Sequence, residues 1–383
     1  MIEPGCRVVL AAMLAAPTAA FALADTYTRM SVSMSQLYDA NLFATPAARG
    51  PQADLISRAG PSLEVGYLSL PLDIVARYDI QAERYLRHPD LAANAAHQDA
   101  RLVVRYAPMP RIEAGLDAGY VATQTPAELN LGSQLAVGRA PAERLAMTST
   151  AAYHWSDAIR LSGDYAFGRD RVEGAMSNTT QRLRVGLQRR TGTRNTYRAE
   201  YQLQRAGFGD GSSSMSFVAM AAWAHSFTPR TAFEISAGPR LTAGSVRPEV
   251  SAALRRQLSR WKLSADYTIT EQTTIGESGT VEVNRVLLSA SYRPKRRVAL
   301  TAAPSLTRSS RDRKQVSVFA IDIESALEAT RRLSVVVWGR IGRQDGTLSG
   351  PPGTIPYRTL GLRLTITQAR REGRDAASAS PRP

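Results

Sequence analysis

The sequence is poor in cysteine, histidine, aromatic residues, acidic charge and long apolar runs. Its 383 residues include one cysteine, four histidines and 7% aromatics. The cysteine, Cys6, lies in a segment, residues 1–24, that reads as a secretory signal. Arg7 precedes the apolar run 8–16, and Ala22-Leu23-Ala24 supplies a small-residue cleavage pattern before Asp25. Loss of that segment leaves no cysteine, which excludes thiolate catalysis, cysteine-ligated metals and disulfides. No later stretch offers the ~20 consecutive apolar residues of a membrane-spanning helix, so a helical membrane bundle is excluded. Acids number 33 against 48 Lys+Arg, a net charge of +15. That basicity alone suggests a nucleic-acid binder, and the length suggests two or three soluble domains. Periodicity overrides both.

From about Tyr27 onward, apolar residues recur at every second position. In Leu72-Asp73-Ile74-Val75-Ala76-Arg77-Tyr78-Asp79-Ile80 the even positions are apolar and the odd ones mostly charged; Arg182-Leu183-Arg184-Val185-Gly186-Leu187-Gln188 repeats the scheme. Strand side chains alternate between faces, so each segment has one apolar and one polar face. Leu91–His97 is the main exception and reads as a short loop helix. About eighteen strands result (16–18 on the boundaries alone), at 27–38, 54–69, 72–87, 98–107, 111–124, 142–155, 158–169, 179–190, 195–207, 213–227, 231–243, 247–259, 261–275, 281–293, 297–308, 314–329, 332–344 and 356–367. Most reach the ~9–11 residues a tilted strand needs to cross a bilayer, where soluble strands run nearer five or six.

Connections alternate between tight ones, such as Leu68–Pro71, Thr191–Thr193 and Thr228–Arg230, and long ones, such as Asp39–Ala53, Pro126–Pro141 and Asp345–Ile355. That is the pattern of a transmembrane β-barrel with short periplasmic turns. Tyr106, Tyr153, Trp155, Trp223, Phe227 and Trp261 lie near the tight turns, where an interfacial aromatic belt belongs. In lipid a sheet must close so that no backbone edge is left unpaired. The expected architecture is therefore all-β: a closed antiparallel barrel over 25–368, after a signal at 1–24 and before a disordered periplasmic tail at 369–383. Thr359–Ile366 has the alternation that resembles a barrel-assembly signal, without a terminal aromatic.

The opening Tyr38-Asp39-Ala40-Asn41-Leu42-Phe43, followed by Asp54–Glu64, resembles the β-barrel porin family associated with exopolysaccharide operons. The resemblance covers roughly residues 30–90. It implies a cell outer-membrane barrel in a Gram-negative envelope that assists export of a surface or extracellular polysaccharide. It brings no catalytic residues.

Asp39 and Asn41 suit a cation or a sugar hydroxyl, although Asx residues at such places more often cap a turn. His88 and His97, assigned to one outer loop, are the only footing for a barrel hydrolase; His154 faces the lumen with no assignable carboxylate. Gly207–Gly211 reads as a hairpin, since an alternating strand follows it. No catalytic residue, metal or cofactor is expected. The lumen charges are the better functional candidates: Arg77, Arg101, Arg105, Arg182, Arg184 and Arg198 with Asp73 and Asp117. Inward acids and bases are near balance, so they either stiffen the wall by pairing across strands or hold solute hydroxyls and carboxylates. The arc of Arg101, Arg105, Arg182, Arg184 and Arg198 favours anionic solutes.

The net positive charge falls on the tight turns, at Arg189, Arg190 and Arg194, Arg230 and Arg260, Arg293 to Arg297, and Arg331 and Arg332. That places it beside anionic headgroups or an acidic partner. The expected partners are outer-membrane lipid, the barrel assembly machinery, polysaccharide and periplasmic export components, with no nucleic acid. A non-conducting docking barrel and a barrel hydrolase are the alternative functions.

Overall fold

In the computed structural model, which describes residues 25–130, 132–136, 138–311, 314–348 and 353–372, nearly every alternating segment is a strand. Residues 1–24, read above as a signal, and residues 373–383 lie outside the described residues. The strands are β1 Asp25–Asp39, β2 Asp54–Leu68, β3 Leu72–Tyr85, β4 Ala93–Met109, β5 Ile112–Thr123, β6 Ala142–His154, β7 Ile159–Val172, β8 Asn178–Thr191 and β9 Asn195–Phe208. They continue as β10 Ser213–Thr228, β11 Thr231–Thr242, β12 Ser245–Gln257, β13 Trp261–Thr273, β14 Thr280–Lys295, β15 Val298–Arg311, β16 Lys314–Glu328, β17 Leu333–Asp345 and β18 Thr354–Glu372. Each pairs antiparallel with its sequence neighbours, and β1 also pairs with β18, which closes an eighteen-stranded barrel.

Two segments depart from expectation. Leu91–His97 is not a helix: a single 3₁₀ turn spans Pro89–Leu91, and β4 starts at Ala93. The alanines there favour helix intrinsically, but the edge of β3 pairs their backbone as far as Glu83↔Ala93, past a bulge between Gln81 and Glu83. At the other end β18 runs on to Glu372, opposite Thr26 of β1, so residues 369–372 belong to the barrel and not to a tail.

The outer wall is apolar. Leu183, Val185 and Leu187 of β8, Met30, Val32 and Met34 of β1, and Leu360, Leu362, Leu364 and Ile366 of β18 all project exposed from it. A continuous apolar exterior of this extent is untenable in water, but it suits hydrocarbon, where a closed barrel also leaves no backbone group unpaired. This is a transmembrane barrel. Rings gather near the short turns: Trp261 stacks on Tyr292 at 4.4 Å, and Tyr153 meets Trp155 edge-on.

The buried apolar residues lie inside the long-loop end. Leu135 and Leu348 from two loops pack on Val281, Val283, Val316 and Val318 of the wall. Leu129 and Ile275 pack with Ala142 and Val172. Leu42, Ile56 and Tyr85 form a third cluster. Loops are packed into that end of the barrel.

Candidate functional site

The long connection from β5 to β6 does not project outward. It folds into the lumen as a strap whose ends are fastened to β2 and β3 and whose middle is fastened to β15 and β17. Near its start, Glu128 sits on the 3₁₀ turn Pro126–Glu128 and accepts from Arg58 of β2 at 3.0 Å and from Thr123 at 3.0 Å. At its end, Arg139 donates to Glu83 of β3 at 2.7 Å and lies over the Tyr85 ring at 4.7 Å. Arg58 pairs with the other Glu83 oxygen at 2.7 Å, and Tyr85 donates to Glu83. The Glu83 side chain is fully buried between these cations. In between, Gln134 accepts from Ser305 at 3.0 Å and Thr307 at 3.3 Å on β15, and Ala136 donates to Gln344 of β17 at 2.8 Å. Asn130 accepts the Ile275 amide at 3.0 Å.

Glu128 is the strap's own carboxylate in this clamp. Removal from water would raise its carboxyl, yet Arg58 and His97, with the hydrogen bonds from Arg58 and Thr123, hold it below the usual carboxylate range.

Below the strap the lumen is polar and open. One cavity of about 830 Å³ runs between Gly132 of the strap and the wall from β6 to β14. A second, of about 660 Å³, reaches the short turn at Ser69–Pro71. Arg184, Arg198 and Glu200 line both, so the two cavities adjoin at that level. Ion pairs cross-link the wall there: Arg184 to Asp164 at 2.7 Å, Arg198 to Glu200 at 3.1 Å and also to Glu234.

The sequence-derived lumen residues fall into two groups. Arg105 and Asp73 line the second cavity with Arg184 and Arg198, and Arg182 lines the first. Arg77, Arg101 and Asp117 line neither; Arg101 pairs with Asp117 at 2.5 Å, and Arg77 stands 3.8 Å from Asp79. Among the described residues neither Arg105 nor Arg182 has a carboxylate within 4 Å, and the Arg182 Nε is buried without a hydrogen-bond partner. The expected cationic arc is thus largely neutralised by neighbours, with Arg105 and Arg182 as its unpaired members.

The first-loop residues are engaged within the chain. Asp39 accepts the Asn41 amide at 2.9 Å, while the Asn41 side chain donates to Thr45 and Pro356 carbonyls at 2.8 Å each. Phe43 meets His88 edge-on, and Tyr38 is exposed. Asp39 and Asn41 thus satisfy the loop backbone.

The histidines differ from expectation. His88 is in a loop, but His97 is on β4, 3.6 Å from Glu128. His154 has a carboxylate after all, Glu113 at 3.2 Å. His88 holds Asp54 at 2.7 Å, and that carboxylate also accepts the amides of Leu55, Leu86, Arg87 and His88, so it is committed to the loop.

Sequence reasoning missed two clusters. One is the strap clamp, whose Glu128 and Arg139 carry no strand parity. The other is Arg240, 2% exposed and paired with Glu249 at 2.6 Å, Glu271 at 3.3 Å and Glu282 at 3.2 Å. Alternation along one strand gives the face of each residue, but it does not show that groups from β11 to β14 meet at one guanidinium.

No family model and no curated protein sequence matches the chain. Among solved structures it is similar to OpdO of Pseudomonas aeruginosa, at 11% identity over 91% of this chain and 98% of that one, with a TM-score of 0.49. It is similar to OpdQ of the same organism, at 8% identity over 91% and 98%, with a TM-score of 0.48. The siderophore receptor PirA, also from Pseudomonas aeruginosa, gives 11% identity over 89% and 80%, with a TM-score of 0.44.

Proposed function

We propose that this barrel is a passive, water-filled conduit of the Gram-negative outer membrane, with its short turns and both termini in the periplasm. The observation that carries the reading is the space below the strap, two adjoining cavities that share Arg184, Arg198 and Glu200 in their linings. A wall cross-linked by ion pairs keeps such a space open without a packed core. Solutes that suit it are hydrophilic, with hydroxyls or carboxylates to exchange for hydration, and the unpaired Arg105 and Arg182 favour anionic ones. Transport needs no covalent chemistry. The finer reading, assistance in exporting a surface or extracellular polysaccharide, rests on the resemblance around Tyr38–Phe43. Deleting the gene and measuring secreted polysaccharide tests it; unchanged secretion would remove the cargo assignment and leave the conduit. Barrel assembly machinery is the expected folding partner.

A second reading, a non-conducting docking barrel, is favoured by the strap and loops packed into the outer mouth. Single-channel recording of the refolded protein separates the two. Discrete openings support the conduit, and silence at every voltage supports docking.

A further inference from the structure

The short-turn rim is lopsided. Turns β2–β3, β4–β5 and β6–β7 carry only Arg111 and Asp157. The five consecutive turns from β8–β9 to β16–β17, with the strand ends that lead into them, carry the cations, among them Arg189 at the end of β8, Arg256 at the end of β12, and Arg260, Arg296, Arg297 and Arg331 in the turns, all exposed. Among the described residues none of these six has an ion-pair or side-chain hydrogen-bond partner. A row of unpaired guanidinium groups repels itself, so something outside the chain is expected to balance it.

The rings of the outer wall indicate what. Arg189 faces outward in register with Tyr197, which is in register with Trp223, so a cation and two exposed rings lie side by side on β8, β9 and β10. His225 packs between Trp223 and Phe227, at 5.6 and 4.8 Å, on the same outer face. Arg256 stands beside the exposed Leu263, near the stacked Trp261 and Tyr292. A soluble acidic partner would meet the charges and leave the rings bare. A ligand that satisfies both has an anionic head and an apolar body: aromatic rings settle at the headgroup level of a bilayer, and guanidinium groups bind phosphate in bidentate fashion.

We propose that this half of the rim, β8 to β17, is a docking arc for anionic phospholipid headgroups of the surrounding leaflet. The inference rests on the membrane reading above. The arc orients the barrel and collects anionic lipid on one side of it.

The test is native mass spectrometry of the barrel released from bilayers of equal phosphatidylglycerol and phosphatidylethanolamine, with conductance recorded separately. The wild type should retain phosphatidylglycerol severalfold over phosphatidylethanolamine, less so as salt rises, since each cation near an anionic surface contributes about fivefold. Changing Arg189, Arg256, Arg260, Arg296, Arg297 and Arg331 together to Gln should abolish the preference, and changing the same six to Lys should keep most of it. Should the Gln variant not fold, Arg189→Gln with Arg256→Gln and the wild-type salt series carry the test. Equal retention of the two lipids, or a Gln variant that keeps the preference, would overturn the proposal. So would a wild type without lipid preference that binds polyglutamate, which would assign the arc to an acidic macromolecule. A barrel that conducts without lipid preference loses only this inference; one with the preference and no conductance loses only the conduit.

Discussion

The two ends of the lumen use charge in opposite ways. At the long-loop end, Arg58, Glu83 and Arg139 are buried together and hold a strap across the barrel. Toward the short turns, Arg101–Asp117 and Arg160–Glu113 are wet and about half exposed. A buried pair is costly to break, because its surviving member is left dry and unpaired. An exposed pair contributes little, because water replaces the lost partner. The same residue types therefore make a fixture at one end and an adjustable lining at the other.

Five perturbations would break or sharpen that contrast, from the largest expected effect to the smallest. Replacing strap residues 126–139 by a short Gly-Ser linker should raise single-channel conductance severalfold, and unchanged conductance would mean that the strap does not limit the pore. Glu83→Ala, which leaves Arg58 and Arg139 unpartnered, should cost about 3–5 kcal/mol in urea unfolding from lipid. The pH response should follow Glu128. Its folded value is depressed, so its contribution to holding the strap is fully present above its unfolded value, about 4.3. That contribution is lost as pH falls through the lower folded value. Conductance should hold steady as pH falls toward that unfolded value and rise only below it, whereas a rise at higher pH would mean that Glu128 is not the latch. Arg182→Ala should shift permeability toward cations with little loss of stability, read from reversal potentials in a salt gradient. As the reference for the wet end, Arg101→Ala should cost about 1 kcal/mol or less.

Most of the wall was legible in the sequence because a strand's faces differ in every residue. Arg182-Leu183-Arg184-Val185 allows one orientation in a barrel with lipid outside, and β8 takes it. The strap was not legible, since what folds it inward is a set of partners 171 to 208 residues away: Ser305 and Thr307 for Gln134, and Gln344 for Ala136. No local pattern announces such pairing. The segment at 91–97 misled for a related reason, its alanines obeying a neighbouring strand over their own propensity. Among the lumen candidates, facing direction was readable from parity, but whether a charge was already neutralised was not. Arg184 and Arg182 sit two residues apart on one face, and only Arg184 meets carboxylates, at Asp164 and Glu200.

The seam between β1 and β18 is where the first strand of the barrel meets the last. Thr26 lies opposite Glu372, and Asp39 opposite Thr359. Three rings lie flat over glycines in or beside that seam: Tyr27 over Gly66, Trp338 over Gly361 and Tyr357 over Gly342, each leaving no room for even a methyl group. A slip of one residue would turn each ring to the other face, so these seats act as dowels that admit one alignment. The seam is also the pairing of greatest sequence separation, so its loop-closure cost comes last and largest. Until the final strand arrives, every partly built sheet has two open edges, and the barrel exists as a sealed object only once its last residues have met its first.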